Sequence, residues 1–205
     1  MGLRLVVYDA TGRGPWFQPL LTTSWRIGSG LYKRYPQGVR VDAIYGALSW
    51  TDAVAWLASV EPSQRIDEIQ YWGHGLPGRV SLGADVLTSA SLTSPSLTDS
   101  LTDDWRAVAA RLSSTSLVWF RTCGAFGTAA GHAFATTTAR FFNCRVAGHT
   151  FVIGPLQSGL HTVTPTSSPT WSVAEGQKPG GGLLQSQLWS PNTVSFLKGA
   201  IPAGW

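Results

Sequence analysis

A chain of 205 residues with 15 basic and 11 acidic side chains, and so a net charge of +4, suits one domain with a substantial core and is short for two. The basic residues are mostly arginines scattered singly, without the runs or aromatic-laced stripes that bind nucleic acid, apart from the loose SWRIGSGLYKRY at 24–35. No stretch approaches the ~20 apolar residues of a membrane span, and two cysteines, Cys123 and Cys144, make no disulfide framework.

The opening MGLRLVVYDATG turns polar too soon for a signal peptide and reads as a strand at 3–10, ending in the Gly-rich TGRGPW. A cytoplasmic protein with no nucleic-acid or membrane partner is expected, although delivery by a partner machine stays open. Residues 18–34 suit a short helix, and 38–46 a second strand. Ser49, Thr51 and Asp52 can cap the helix DAVAWLASV. RIDEIQYW (65–72) is a third strand, followed directly by GHG at 73–75. GRVSLG (78–83) reads as a hairpin arm, and 84–104 as a Ser/Thr-rich surface loop. Ser100 and Asp103 resemble a capping box opening a helix with Leu101, Trp105, Val108 and Leu112 on one face. SLVWFRTC (116–123) is a fourth strand. Phe126, Ala130, Phe134, Thr137 and Phe141 then predict a helix over 126–141 with an inward stripe, before a fifth strand at 144–154.

Strands alternating with helices argue for an α/β domain with a mostly parallel sheet between helical layers. Residues 155–205, rich in Gly, Pro, Ser and Thr, read as loops and short strands draped over a core of about 1–154, within one domain spanning 1–205. Ten tryptophans imply an aromatic core or a protein-facing surface.

Catalytic groups in such sheets gather at the carboxyl ends of strands. His74 and Cys123 each follow one. Alone, a cysteine there is most often an inert small hydrophobe, and a histidine in a Gly-His-Gly turn is more often structural. Together they suit thiol catalysis, which needs a base near the thiol and donors for the developing oxyanion. Gly73, Gly75 and Gly124 permit sharp turns beside both groups, and a helix from about 126 would aim its positive end at Cys123 and favour thiolate.

An apolar strand running into His-Gly, and a second running into Cys 49 residues later, resembles the caspase-like clan of cysteine peptidases, in which about 50 residues separate the two in caspases. That clan includes caspases, metacaspases, legumain, gingipains, clostripain and separase. GHGLPGRVSLG and RTCGAFGTAAGHAF look most similar to bacterial separase-like domains. The resemblance covers about residues 60–175 and is specific at these two motifs.

It implies a caspase-like α/β/α fold and a cysteine endopeptidase, with His74 as base and acid, Cys123 as nucleophile and the Gly75 and Cys123 amides as oxyanion donors. No cofactor or metal is implied, and the partner is a protein or peptide substrate. By the same resemblance Arg121, two residues before the cysteine, lines the pocket for the residue preceding the cut (P1), with Arg13 on the loop after the first strand. That basic pair favours an acidic P1 residue. Alternatively Arg121 is a strand-end surface charge, or Asp9 selects Arg or Lys.

No CxxC, HxxxH or HExxH spacing supports zinc, no GxSxG supports a serine hydrolase, and GQKPGGG (176–182) is not a phosphate loop. His132, His149 and Cys144 are expected to be packed or solvated. Two alternatives to an active peptidase remain open. One is a caspase-fold binding or assembly module, or pseudo-protease, docked on a partner. The other is a zymogen regulated by such a partner or by cleavage, through 84–104 or the tail.

Overall fold

Short apolar runs rich in Val, Ile, Leu and aromatics alternate with amphipathic stretches, and each run becomes a strand. The computed structural model of the protein describes residues 2–12, 18–34, 40–93 and 99–205. β1 (Leu3–Asp9) leads to α1 (Gln18–Arg34), β2 (Ala43–Ala47), α2 (Trp50–Ser59) and β3 (Ile66–Trp72). A small antiparallel unit follows, β4 (His74–Leu76), β5 (Arg79–Leu82) and β6 (Asp85–Thr88), then the short α3 (Ser89–Thr93). α4 (Asp99–Ala110), β7 (Leu117–Arg121), α5 (Thr128–Phe142) and β8 (Arg145–His149) complete the alternation. Past them the described strands are β9 (Leu156–Gln157), β10 (Leu160–Val163) and β11 (Val194–Ser195).

The main sheet has six strands in the order β10-β8-β7-β3-β1-β2. All neighbours pair parallel except β10, which runs antiparallel to β8. Strand alternation gives the sheet two different faces. Leu5, Val7, Ile69, Tyr71, Val118 and Phe120 meet α2, α4 and α5 in the principal core, where Trp50 packs against Tyr71 with ring centroids 4.6 Å apart. The opposite face carries Val6, Trp72, Leu117 and Trp119, covered by Tyr32 of α1 and by Val194, Ile201 and Trp205 of the C-terminal segment. The expected mostly parallel sheet between helical layers is therefore present, with one layer built partly from irregular chain.

Local signals account for most boundaries. Ser49 caps α2 by accepting the Asp52 amide hydrogen bond at 3.0 Å. Several expectations shift: the second strand begins at Ala43, and the fifth ends at His149 rather than 154. Part of the presumed loop at 84–104 is ordered, because β5 offers a free edge on which β6 pairs. The helix after Cys123 begins at Thr128, not 126: Gly124 takes a positive φ of 60°, and the Gly124 and Phe126 amides donate to the Phe151 and His149 carbonyls. Its buried stripe is consequently rotated to Gly131, Phe134, Ala135, Thr138, Ala139 and Phe142. Phe126 instead stacks on Trp171, with centroids 5.7 Å apart.

Candidate active site

β3 and β7 are sheet neighbours with Trp72 opposite Arg121. The residues that follow, Gly73–His74 and Thr122–Cys123, leave the sheet side by side. His74 and Cys123 line one cleft of about 430 Å³ at the carboxyl edge of these strands. Gly75 shows how closely the two segments approach. A Cβ there would lie 2.5 Å from Thr122 Oγ1 and 2.8 Å from the Cys123 carbonyl oxygen, so a larger residue would push them apart. Pro77–Gly78 turn the chain so that Leu76 faces Arg79 and Gly75 faces Val80.

The electrostatics describe a neutral resting pair. Burial lowers the His74 pKa from its ordinary 6.5, opposed by the Asp9 carboxylate. Burial likewise pushes the Cys123 thiol above its ordinary 9.0, and Sγ lies 3.9 Å from the Ile153 carbonyl oxygen. The expected thiolate-favouring helix end is displaced: Gly127 is the N-cap of α5, and the intervening chain is bonded to β8 and the loop after it. The Trp25 and His74 rings meet in a T-shaped contact with centroids 5.1 Å apart, which shields the imidazole from the α1 side.

Of the three residues proposed for substrate selection, Asp9 and Arg121 are described and are not brought together. Arg13 lies outside the described residues. Asp9 shares a face with Leu5 and Val7, opposite to Arg121. It is buried, accepts from the Thr11 amide at 2.9 Å and hydroxyl at 2.7 Å and from the Gly83 amide at 3.2 Å, and so braces its own loop. Arg121 does line the cleft, yet it is 2% exposed, which overturns its reading as a surface charge. Burial lowers its pKa to about 10, opposed by Tyr32 and Glu68. Around it runs a polar row: Arg4 Nη1 donates to Glu68 (2.8 Å), Gln70 Nε2 to Glu68 (2.7 Å) and to the Tyr32 hydroxyl (3.1 Å), and Trp72 Nε1 to Gln70 (2.9 Å).

Sequence reasoning missed the rest of the cleft. α1 contributes Trp25, Ile27, Gly28 and Leu31, and the C-terminal third contributes Ile153, Pro155, Gln157 and Phe196. The apolar stripe on α1 was the available signal; nothing local marks Phe196 or Gln157 as neighbours of Cys123.

The remaining candidates are structural. His149 is fully buried and accepts from Trp119 Nε1 at 3.2 Å, which leaves its Nδ1 to donate to the Ser158 carbonyl at 3.1 Å. Burial pushes its pKa down to about 3. Cys144 is a buried small hydrophobe whose thiol is pushed up to about 12. His132 and His161 flank the Trp171 ring, with His161 Nε2 2.6 Å from Glu175 Oε1. Among the described residues no three His, Cys, Asp or Glu side chains group as metal ligands would, and no helix is long and apolar enough to cross a membrane. Comparison with protein-family models, curated proteins and solved structures found no match.

Proposed function

We propose that this protein is a cysteine endopeptidase of the caspase-like kind, with Cys123 as nucleophile and His74 as general base and acid. The observation that carries this reading is the meeting of His74 and Cys123 at adjacent parallel strand ends, inside one cleft walled by apolar side chains. A buried thiol with a raised pKa is a poor resting nucleophile. The neutral imidazole beside it is the form that can take a proton, so proton transfer accompanies attack and no stable ion pair precedes it.

In the first step Sγ bonds to the scissile carbonyl carbon as His74 takes the thiol proton. The resulting oxyanion is held by the Gly75 and Cys123 amides. Collapse breaks the C–N bond, and the imidazolium returns its proton to the departing amine. A water, deprotonated by His74, then attacks the thioester carbon; the C–S bond breaks, and His74 returns the proton to Sγ. A substrate side chain seated against the cleft's apolar walls would displace water and strengthen each of these charge interactions.

The test is turnover of fluorogenic peptides by the wild type and by Cys123→Ala. The variant should keep the fold and lose cleavage entirely; undiminished turnover would sink the reading. A second reading, a docking module that keeps the fold without chemistry, is favoured by Leu188 and Trp189, which stand 75% and 80% exposed on one loop. Under that reading Cys123 alkylates no faster than Cys144.

A further inference from the structure

This inference rests on the peptidase reading and names what that site accepts. We infer that the subsite beside Cys123 receives a large uncharged side chain, aromatic or long aliphatic, and discriminates against acidic and basic ones.

Arg121 is the charged side chain among the described residues that line the cleft. A guanidinium has five N–H donors, and all five are engaged. Nε donates to Gln157 Oε1 at 2.9 Å. Nη1 donates to Gln70 Oε1 at 3.2 Å and to the Lys198 carbonyl at 3.4 Å. Nη2 donates to the Phe196 carbonyl at 2.7 Å and the Ser195 carbonyl at 3.4 Å. The guanidinium carbon lies 4.3 Å from the Trp119 ring centroid and 4.9 Å from that of Trp72. A carboxylate entering the cleft would find no N–H to accept from without breaking a bond that holds the C-terminal segment. A lysine or arginine would approach a buried positive charge. A charge left unpaired in such a site carries a large desolvation penalty; an apolar side chain carries neither.

The walls supply what an apolar group needs. Trp25, Ile27, Leu31, Trp72, Ile153 and Phe196 line the space. Ile27 and Leu31 are 55% and 39% exposed, apolar surface that a bound side chain would remove from water. Gly28 keeps the space clear: a Cβ there would sit 3.0 Å from the Trp72 ring and 3.9 Å from Phe196. The volume falls within the range of small-molecule pockets and is ample for an aromatic side chain.

The test is covalent labelling of the intact protein with four acetyl-Ala-Ala-X chloromethyl ketones, X being Phe, Leu, Asp or Lys. Labelling of Cys123 is followed by mass spectrometry, and each rate is divided by the iodoacetamide rate of the same protein. The Phe and Leu probes should react at least about tenfold faster than Asp and Lys, the scale on which pocket contacts discriminate. Leu31→Glu, or Ile27→Glu should the first fail to fold, should narrow the gap between the apolar and Lys probes. Equal or faster labelling by Asp or Lys overturns the inference, as does a preference unmoved in both variants. Peptide turnover under the same conditions separates this from its premise. Absence of any turnover with the labelling order intact removes the peptidase reading and upholds the subsite. Turnover with an acidic preference upholds the peptidase reading and overturns the subsite.

Discussion

On one side of the cleft, Trp72, Gln70, Arg121 and Gln157 are buried and joined by a continuous row of hydrogen bonds that reaches the carbonyls of 195, 196 and 198. On the other, α1 presents Ile27 and Leu31 half to water. Its Ser24 and Ser29 hydroxyls bond within the helix, to the Leu20 and Arg26 carbonyls, and the buried Tyr32 ties it to Gln70. The first wall is fixed by polar satisfaction and continues from the strands that carry His74 and Cys123 at their ends. The second is held chiefly by apolar contact and shapes what enters. Precise placement of reacting atoms demands the first kind of support, whereas local adjustment is drawn from less tightly bonded elements.

Disrupting the fixed wall should have the larger consequences. His74→Ala should lower kcat/KM by about a hundred- to ten-thousand-fold, the range of general acid–base contributions, with the circular dichroism spectrum unchanged. Under the proposed mechanism the neutral imidazole is the active form, so kcat/KM should fall as pH drops through the His74 value, which burial holds below 6.5. The raised thiol pKa should keep the plateau level past neutrality. An acid limb centred above 6.5 would contradict this assignment.

Arg121→Met removes a buried cation and strands the acceptors it served. A loss of about 3–5 kcal/mol is expected, as when one partner of a buried charged network is deleted, measured by chemical denaturation. A neutral or stabilising result would mean that the row is not what fixes this wall.

Trp25→Ala acts on the adjustable wall and should be milder, about a tenfold loss in kcat/KM, the lower end of what packing around a bound group decides. Because the Trp25 ring shields His74, the acid limb should move upward toward 6.5, and Trp25→Phe should restore its position. A purely structural role would leave the limb in place.

The fixed wall was half legible in the sequence. Apolar runs marked β1, β3, β7 and β8, and their carboxyl ends marked His74 and Cys123, because strand periodicity and glycine-flanked turns are local signals. The partners of Arg121 were not legible: Gln157 and residues 195–198 lie 36 to 77 positions away, and no local pattern encodes such pairings. Asp9 could have been read better, since Asp-Ala-Thr at 9–11 carries the sequence of a side-chain-capped turn, and that is the bond it makes. The start of α5 was missed because Phe126 continues the helical spacing while its amide is claimed by His149, a tertiary contact overriding a local period.

The bonds from Arg121 to the carbonyls of 195, 196 and 198 carry a consequence for timing during synthesis. Phe196 is a wall of the cleft, and the guanidinium that underlies it is satisfied by chain made 74 to 77 residues later. While those residues are still inside the ribosome, the strands bearing His74 and Cys123 can pair, but the cleft lacks both a side and a floor. A nascent chain therefore carries His74 and Cys123 before the cleft they line is closed. The site becomes complete only when the polypeptide has emerged through residue 198.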